Sequence, residues 1–154
     1  MDLPALRRLV RQGEGLQLEF KRKARHPEKI AREVVAFANT QGGYLLVGVD
    51  DDGTLSGCKQ PEGEQYVIER FLQQQVAPEL RYQLTRVPIT ARHEVLCYYI
   101  LESRQKPHYI EEAGSRLVYV RVADMSVRAS REVVSLLRLQ GKEQGVSLHF
   151  GEPE

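Results

Sequence analysis

The residues of this chain with the most evident chemistry are carboxylates set beside a basic run: Glu14 and Glu19, then Lys21-Arg22-Lys23 with Arg25, and later Asp50, Asp51 and Asp52. Phosphodiester cleavage needs such a mixture. Carboxylates hold a divalent cation that activates water and offsets developing charge, while Lys and Arg seat the phosphate beside it. The same residues also suit a loop charge, a strand ion pair and a solvated turn, since short acidic clusters are common on surfaces. Geometry adds a condition. Extended chain at about 3.3 Å per residue holds Glu14 and Glu19 roughly 16 Å apart, so they meet at one ion only if the chain folds back at Gly13 or Gly15.

The elements that must position these groups follow from periodicity. Asp2 caps a short helix with Leu3, Leu6 and Val10 on one face, and Gly13-Glu14-Gly15 breaks it. Residues 16–21 alternate as a half-buried strand, with Leu16, Leu18 and Phe20 toward a core and Gln17, Glu19 and Lys21 away from it. Pro27 opens a helix with the stripe Ile30, Val34, Phe37 and Ala38, ended by Gly42-Gly43, and residues 44–49 read as a central strand. Asp52-Gly53 then turns a hairpin into Thr54-Leu55-Ser56. A helix over 64–75, strands over 80–87, 95–101 and 117–122, an edge piece at 107–110 and a helix from Ser130 to Leu139 complete the chain. The expected fold class is α+β, a single mixed, largely antiparallel β-sheet with packed helices. One domain over 1–140 precedes a loosely ordered tail at 141–154.

Composition narrows the function classes. With 154 residues, 42% of them hydrophobic and 28% charged, the chain has the make-up of an ordinary globular domain, and its net charge of +1 is far from that of a protein coating DNA indiscriminately. The charge is uneven: residues 1–35 hold nine Lys/Arg against five Asp/Glu, and residues 50–79 hold two against seven. A basic face beside an acidic rim would permit local phosphate contacts. No apolar run approaches the roughly 18 residues of a membrane span, and a cytoplasmic protein with reduced Cys58 and Cys97 is expected. The histidines at 26, 93, 108 and 149 lack zinc spacing, with His108 either touching a ligand or lying on a surface or edge strand. Gly42-Gly43 follows a helix instead of leading into one and no G-x-x-x-x-G-K-[ST] occurs, so an ATP site is unsupported. Tyr44, Tyr98, Tyr99, Tyr109 and Tyr119 lie in strand-like segments, where some could stack on unpaired bases and others fill a core.

Glu14-x4-Glu19-Phe20-Lys21, the block from Ala36 to Asp51, and Gly57-Cys58 together resemble the AlbA-like domain of the Schlafen family, with a weaker match through Lys106-Pro107-His108-Tyr109 and residues 119–122. The resemblance implies nucleic-acid binding, to RNA or DNA. By likeness to members that are metal-dependent endoribonucleases of structured RNA such as tRNA, it implies catalytic Glu14, Glu19 and Asp51. Mg2+ or Mn2+ would be held by Glu14, Glu19, Asp50 and Asp51, and no zinc is implied. Lys21, Arg22, Lys23 and Arg25 would contact phosphates. The vertebrate core has two related lobes and this chain has room for one, so a homodimer is expected to complete a groove. The rival readings are a non-catalytic DNA-binding regulatory module and a protein-interaction or oligomerisation domain.

Overall fold

The computed structural model describes residues 1–151, with side chains as far as Gly141. Helix α1 (Leu3–Val10) begins where the Asp2 carboxylate accepts the Ala5 N–H at 3.0 Å, a side-chain cap for an otherwise unpaired amide. Strand β1 (Leu18–Lys21) runs parallel to β2 (Gly43–Val47), with α2 (Pro27–Asn39) as the crossover between them. After α3 (Pro61–Gln75) and β3 (Val76–Ala77), strands β4 (Tyr82–Pro88) and β5 (Glu94–Ile100) form an antiparallel pair, and β5 pairs antiparallel with β2. The main sheet therefore has the order β1-β2-β5-β4.

The later strands form small sheets of their own beside this one. Strands β6 (Tyr109–Glu112) and β7 (Ser115–Leu117) join β3, while β8 (Tyr119–Val122) and β9 (Met125–Arg128) make a two-stranded ribbon. The architecture is α+β, as the alternation of helical and strand periods predicts. The separate sheets arise because α2 is covered on two sides. Its residues Val34 through Asn39 are all buried, against Leu45 and Val47 of the main sheet and against Ile110 and Tyr119 of the smaller ones. A one-sided stripe would need only one sheet beneath it.

Three local expectations change. Strand β1 is buried on both faces, with Glu19 as inaccessible as Leu18 and Phe20, and it begins two residues later than alternation predicts. Leu16 lies in the tight turn where the Gly15 N–H bonds the Leu18 carbonyl, so it is exposed instead of facing the core. Asp52-Gly53 does turn the chain, but the return contact is a lone bridge between Val49 and Leu55, not a paired strand. The last helix, α4 (Arg131–Gly151), is capped by Ser130 as predicted, through a Val133 N–H at 3.2 Å. Its backbone continues through ten residues beyond the 141 at which a loose tail was expected to start, and residues 152–154 lie outside the described residues. No described helix is long and apolar enough to cross a membrane.

Candidate functional site

The bend that the two glutamates require is present. Gly13 adopts φ +77°, a left-handed conformation costly for a side chain, and the chain doubles back so that Glu14 Oε2 accepts the Phe20 N–H at 3.4 Å. Glu14 thereby lies beside Glu19 within hydrogen-bonding reach. What completes the cluster is not an aspartate. It is Glu33 from α2, which no sequence motif marks, and Arg121 from β8, which lies in the weakly matching stretch 119–122 but carries no expected role.

Arg121 is fully buried, and its guanidinium donates to Glu19 Oε1 at 2.8 Å, Glu33 Oε2 at 3.0 Å and Ser126 Oγ at 3.0 Å. It also bonds the Gly15 carbonyl at 2.9 Å and the Leu18 carbonyl at 3.2 Å, and it stacks 4.9 Å from the centroid of Phe37. Lys21 Nζ approaches Glu19 Oε2 at 3.7 Å from the more open side. Burial pushes the Glu19 carboxyl up to about 9, reinforced by hydrogen bonds to Glu33 and Glu14 and opposed by Arg121. For Glu33 burial also raises the pKa, but the hydrogen bond from Glu19 and the charges of Lys21 and Arg121 outweigh it and the net shift is downward. The two shifts are opposed, so the pair favours a protonated Glu19 beside an ionised Glu33.

The aspartates stand apart. Glu19 is in register with Leu45, so Asp50 lies five residues further along, roughly 16 Å in extended chain. Between them the strand turns over at Gly48, φ +106°, which leaves Val47 packed under α2 and Val49 on the opposite face of the sheet. Asp50 accepts the Ser56 hydroxyl at 2.7 Å, and its other oxygen, without a hydrogen-bond partner among the described residues, is 3.6 Å from Arg22 Nε. Asp51 is exposed. The set Glu14, Glu19, Asp50 and Asp51 therefore does not gather round one ion, and among the described residues no three His, Cys, Asp or Glu side chains do. The place a cation would take beside Glu19 is filled by the chain's own guanidinium. This donor arrangement does not fit the implied Mg2+ or Mn2+.

Of the basic residues, the structure displays three and withdraws one. Arg22, Lys23 and Arg25 are exposed in the loop between β1 and α2, whereas Lys21 leans on Glu19. The loop has a rigid mount: Ala24 is buried, and its N–H bonds Glu64 Oε2 of α3 at 2.7 Å. His26, which precedes α2, makes no side-chain cap, but its carbonyl accepts the Lys29 and Ile30 N–H groups at 3.0 and 3.3 Å, and Pro27 at the first helical position has no N–H to offer. His108 is neither a ligand residue nor a surface one. It is fully buried, donating from Nδ1 to the Pro78 carbonyl at 2.8 Å while Nε2 accepts from Ser103, and burial lowers its pKa so that it stays neutral. Asn39 donates to the His108 and Tyr119 carbonyls at 3.0 and 2.9 Å and so ties α2 to the smaller sheets.

The fold and the polar core define a class: a small α+β domain whose crossover helix lies between a mixed sheet and two satellite sheets, pinned by a buried arginine. Residues 14–130 match the family described as Schlafen, AlbA_2, and the chain belongs to that family. Among solved structures it is similar to the N-terminal domain of a RecG-related protein from Nitrosomonas europaea. The TM-score is 0.56 at 24% identity, with 82% of this chain and 90% of that chain covered, a likeness of fold.

Proposed function

We propose that this domain binds nucleic acid through its phosphate backbone, with Arg22, Lys23 and Arg25 as the main contacts, and that it does so without cutting the strand. The observation that carries the reading is the mounted basic loop. Three exposed cations flank a buried Ala24 whose N–H is tied to Glu64. Cations on a held backbone lose less freedom on binding than cations on a loose one. The net charge of +1 makes this a local attraction. The similar solved domain comes from a protein named for a DNA helicase, which agrees with a nucleic-acid setting.

The non-cutting half rests on the acid cluster. Glu19, protonated and bonded to Arg121, is a poor ligand for a hard cation, and the third acid is at the other end of β2.

Fluorescence anisotropy with labelled RNA and DNA oligomers between about 50 and 200 mM salt tests both halves. Affinity is expected to fall as salt rises, and Lys23→Ala or Arg25→Ala to flatten the logarithmic slope by roughly 0.7 to 0.9 each. Salt-insensitive binding would remove the reading in favour of a protein-interaction role. The strand is expected to survive incubation with Mg2+ or Mn2+. Scission by the wild type that Glu19→Gln abolishes would restore the nuclease.

A further inference from the structure

The register of the main sheet sets Leu18, Tyr44, Tyr99 and Gln83 side by side in one row across its four strands. Their side chains lie on the face opposite α2. Helix α1 covers only part of that face: Leu6, with Leu3, Leu9 and Val10, packs on Phe20, Leu46, Val49, Val87, Val95 and Cys97. The Tyr44 row is left at its margin. Tyr99 is 38% exposed, Tyr44 is half-buried, and their rings meet at 4.9 Å between centroids with a 47° tilt. Leu16, 36% exposed, borders them in sequence two residues before Leu18.

One step beyond the row, where the Leu101 N–H bonds the Arg81 carbonyl, a cavity of about 940 Å³ opens. Its charged lining is Arg81, Arg104, Lys106 and Arg138 against Glu79 and Glu102. Lys106 is committed to Glu102 at 2.7 Å, while no ion pair engages Arg81, Arg104 or Arg138 among the described residues. The surplus beside the aromatic pair is thus cationic.

We infer that this face is a stacking platform for unpaired bases, with Tyr99 and Tyr44 receiving base faces and the guanidiniums of the adjoining cavity receiving phosphates. The inference rests on the nucleic-acid reading and narrows it to single strands. Phenol rings on an open sheet stack only on bases whose faces are bare, and in a duplex those faces are already covered. A purely apolar partner would leave three guanidiniums without an anion, whereas a polynucleotide supplies bases and phosphates together.

The test uses the full chain with labelled dT12 and, separately, a blunt 12-base-pair DNA duplex. Tyr99→Leu keeps an apolar group on the exposed position but removes the ring, and it is expected to weaken dT12 binding roughly 5-fold or more. Tyr99→Phe is expected to bind as the wild type does, and duplex binding to be unchanged in both. Because the chain has no Trp, its ultraviolet emission comes from tyrosine, and dT12 is expected to quench it in the wild type and less in Tyr99→Leu. A second variant, Tyr44→Leu, repeats the measurement if the first is misfolded by circular dichroism. Wild-type dT12 affinity in folded Tyr99→Leu and Tyr44→Leu overturns the platform while leaving the basic loop standing. Loss of dT12 and duplex binding alike also overturns it, as a general defect. If the wild type binds neither probe, both readings fall, and capture of a protein by an unaltered tyrosine face would assign it to a different partner.

Discussion

Glu19 is the residue at which sequence and structure assign opposite chemistry. In the sequence it alternates outward from a strand and stands beside Glu14 as an ionised ligand; in the folded chain it is a buried carboxyl that accepts from Arg121 and whose pKa is pushed up by burial and by Glu33 and Glu14. Glu33 sits in no motif, and Arg121 sits in the weakly matching stretch 119–122, where spacing alone assigns it no role. Alternation in β8 misleads as well, since Val120 and Val122 point outward while Arg121 shares the buried side with Tyr119. The protonated state has a consequence for stability. The pKa of Glu19 rises from 4.5 to about 9, so between those values the folded chain holds a proton that the unfolded chain has released, and stability falls as pH rises through that window. Glu33, shifted downward, acts in the opposite sense and loses its contribution as pH drops below the ordinary carboxylate range. Thermal unfolding is therefore expected to show a lower Tm at pH 9 than at pH 5, with the decline shallower in Glu19→Gln. An equal decline in that variant would show that Glu19 is not the titrating group.

Among elements, the β8–β9 ribbon depends most on a few polar contacts. Two strands alone are marginal in water, so the ribbon persists by docking on α2 and β1. Arg121 supplies the link to β1 through Gly15, Leu18 and Glu19 and to α2 through Glu33, while Asn39 bonds the Tyr119 carbonyl. Arg121→Met keeps volume but strips Glu33 of its buried counter-charge and leaves the Gly15 and Leu18 carbonyls only the backbone N–H bonds they make to each other's residues. Removing one partner of a buried pair costs about 3–5 kcal/mol, and urea denaturation is expected to report that scale; a loss below about 1 kcal/mol would mean the ribbon docks by apolar contact alone. Helix α2 itself was legible, since Pro27 and the stripe from Ile30 to Phe37 fix its start and inward face. Its second covering was not. Periodicity reports that Ala36 and Asn39 lie off the stripe, and nothing local says that β6 and β8, some 70 to 80 residues away in sequence, return to bury them.

Across the whole molecule, the two surfaces assigned to nucleic acid lie at different ends of one sheet. Lys23 follows the end of β1, where Lys21 is in register with Val47, whereas Tyr99 is in register with Tyr44 three residues earlier, about 10 Å along the strand before the loop's own reach is added. Helix α1 occupies the face between them, so the two share no side-chain partner. Sites so separated contribute independently. The fold-losses of Lys23→Ala and Tyr99→Leu on dT12 are accordingly expected to multiply in the double variant. Length should matter in the same way: an oligomer of about four nucleotides can engage one surface at a time, and a longer one gains affinity once its second contact becomes intramolecular. Titrating dT4, dT8 and dT12 against wild type and both single variants checks this, with the length advantage expected to shrink when either surface is removed. A double variant no weaker than the worse single one would mean that loop and platform act at one contact, and that the strand bends round α1 to make it.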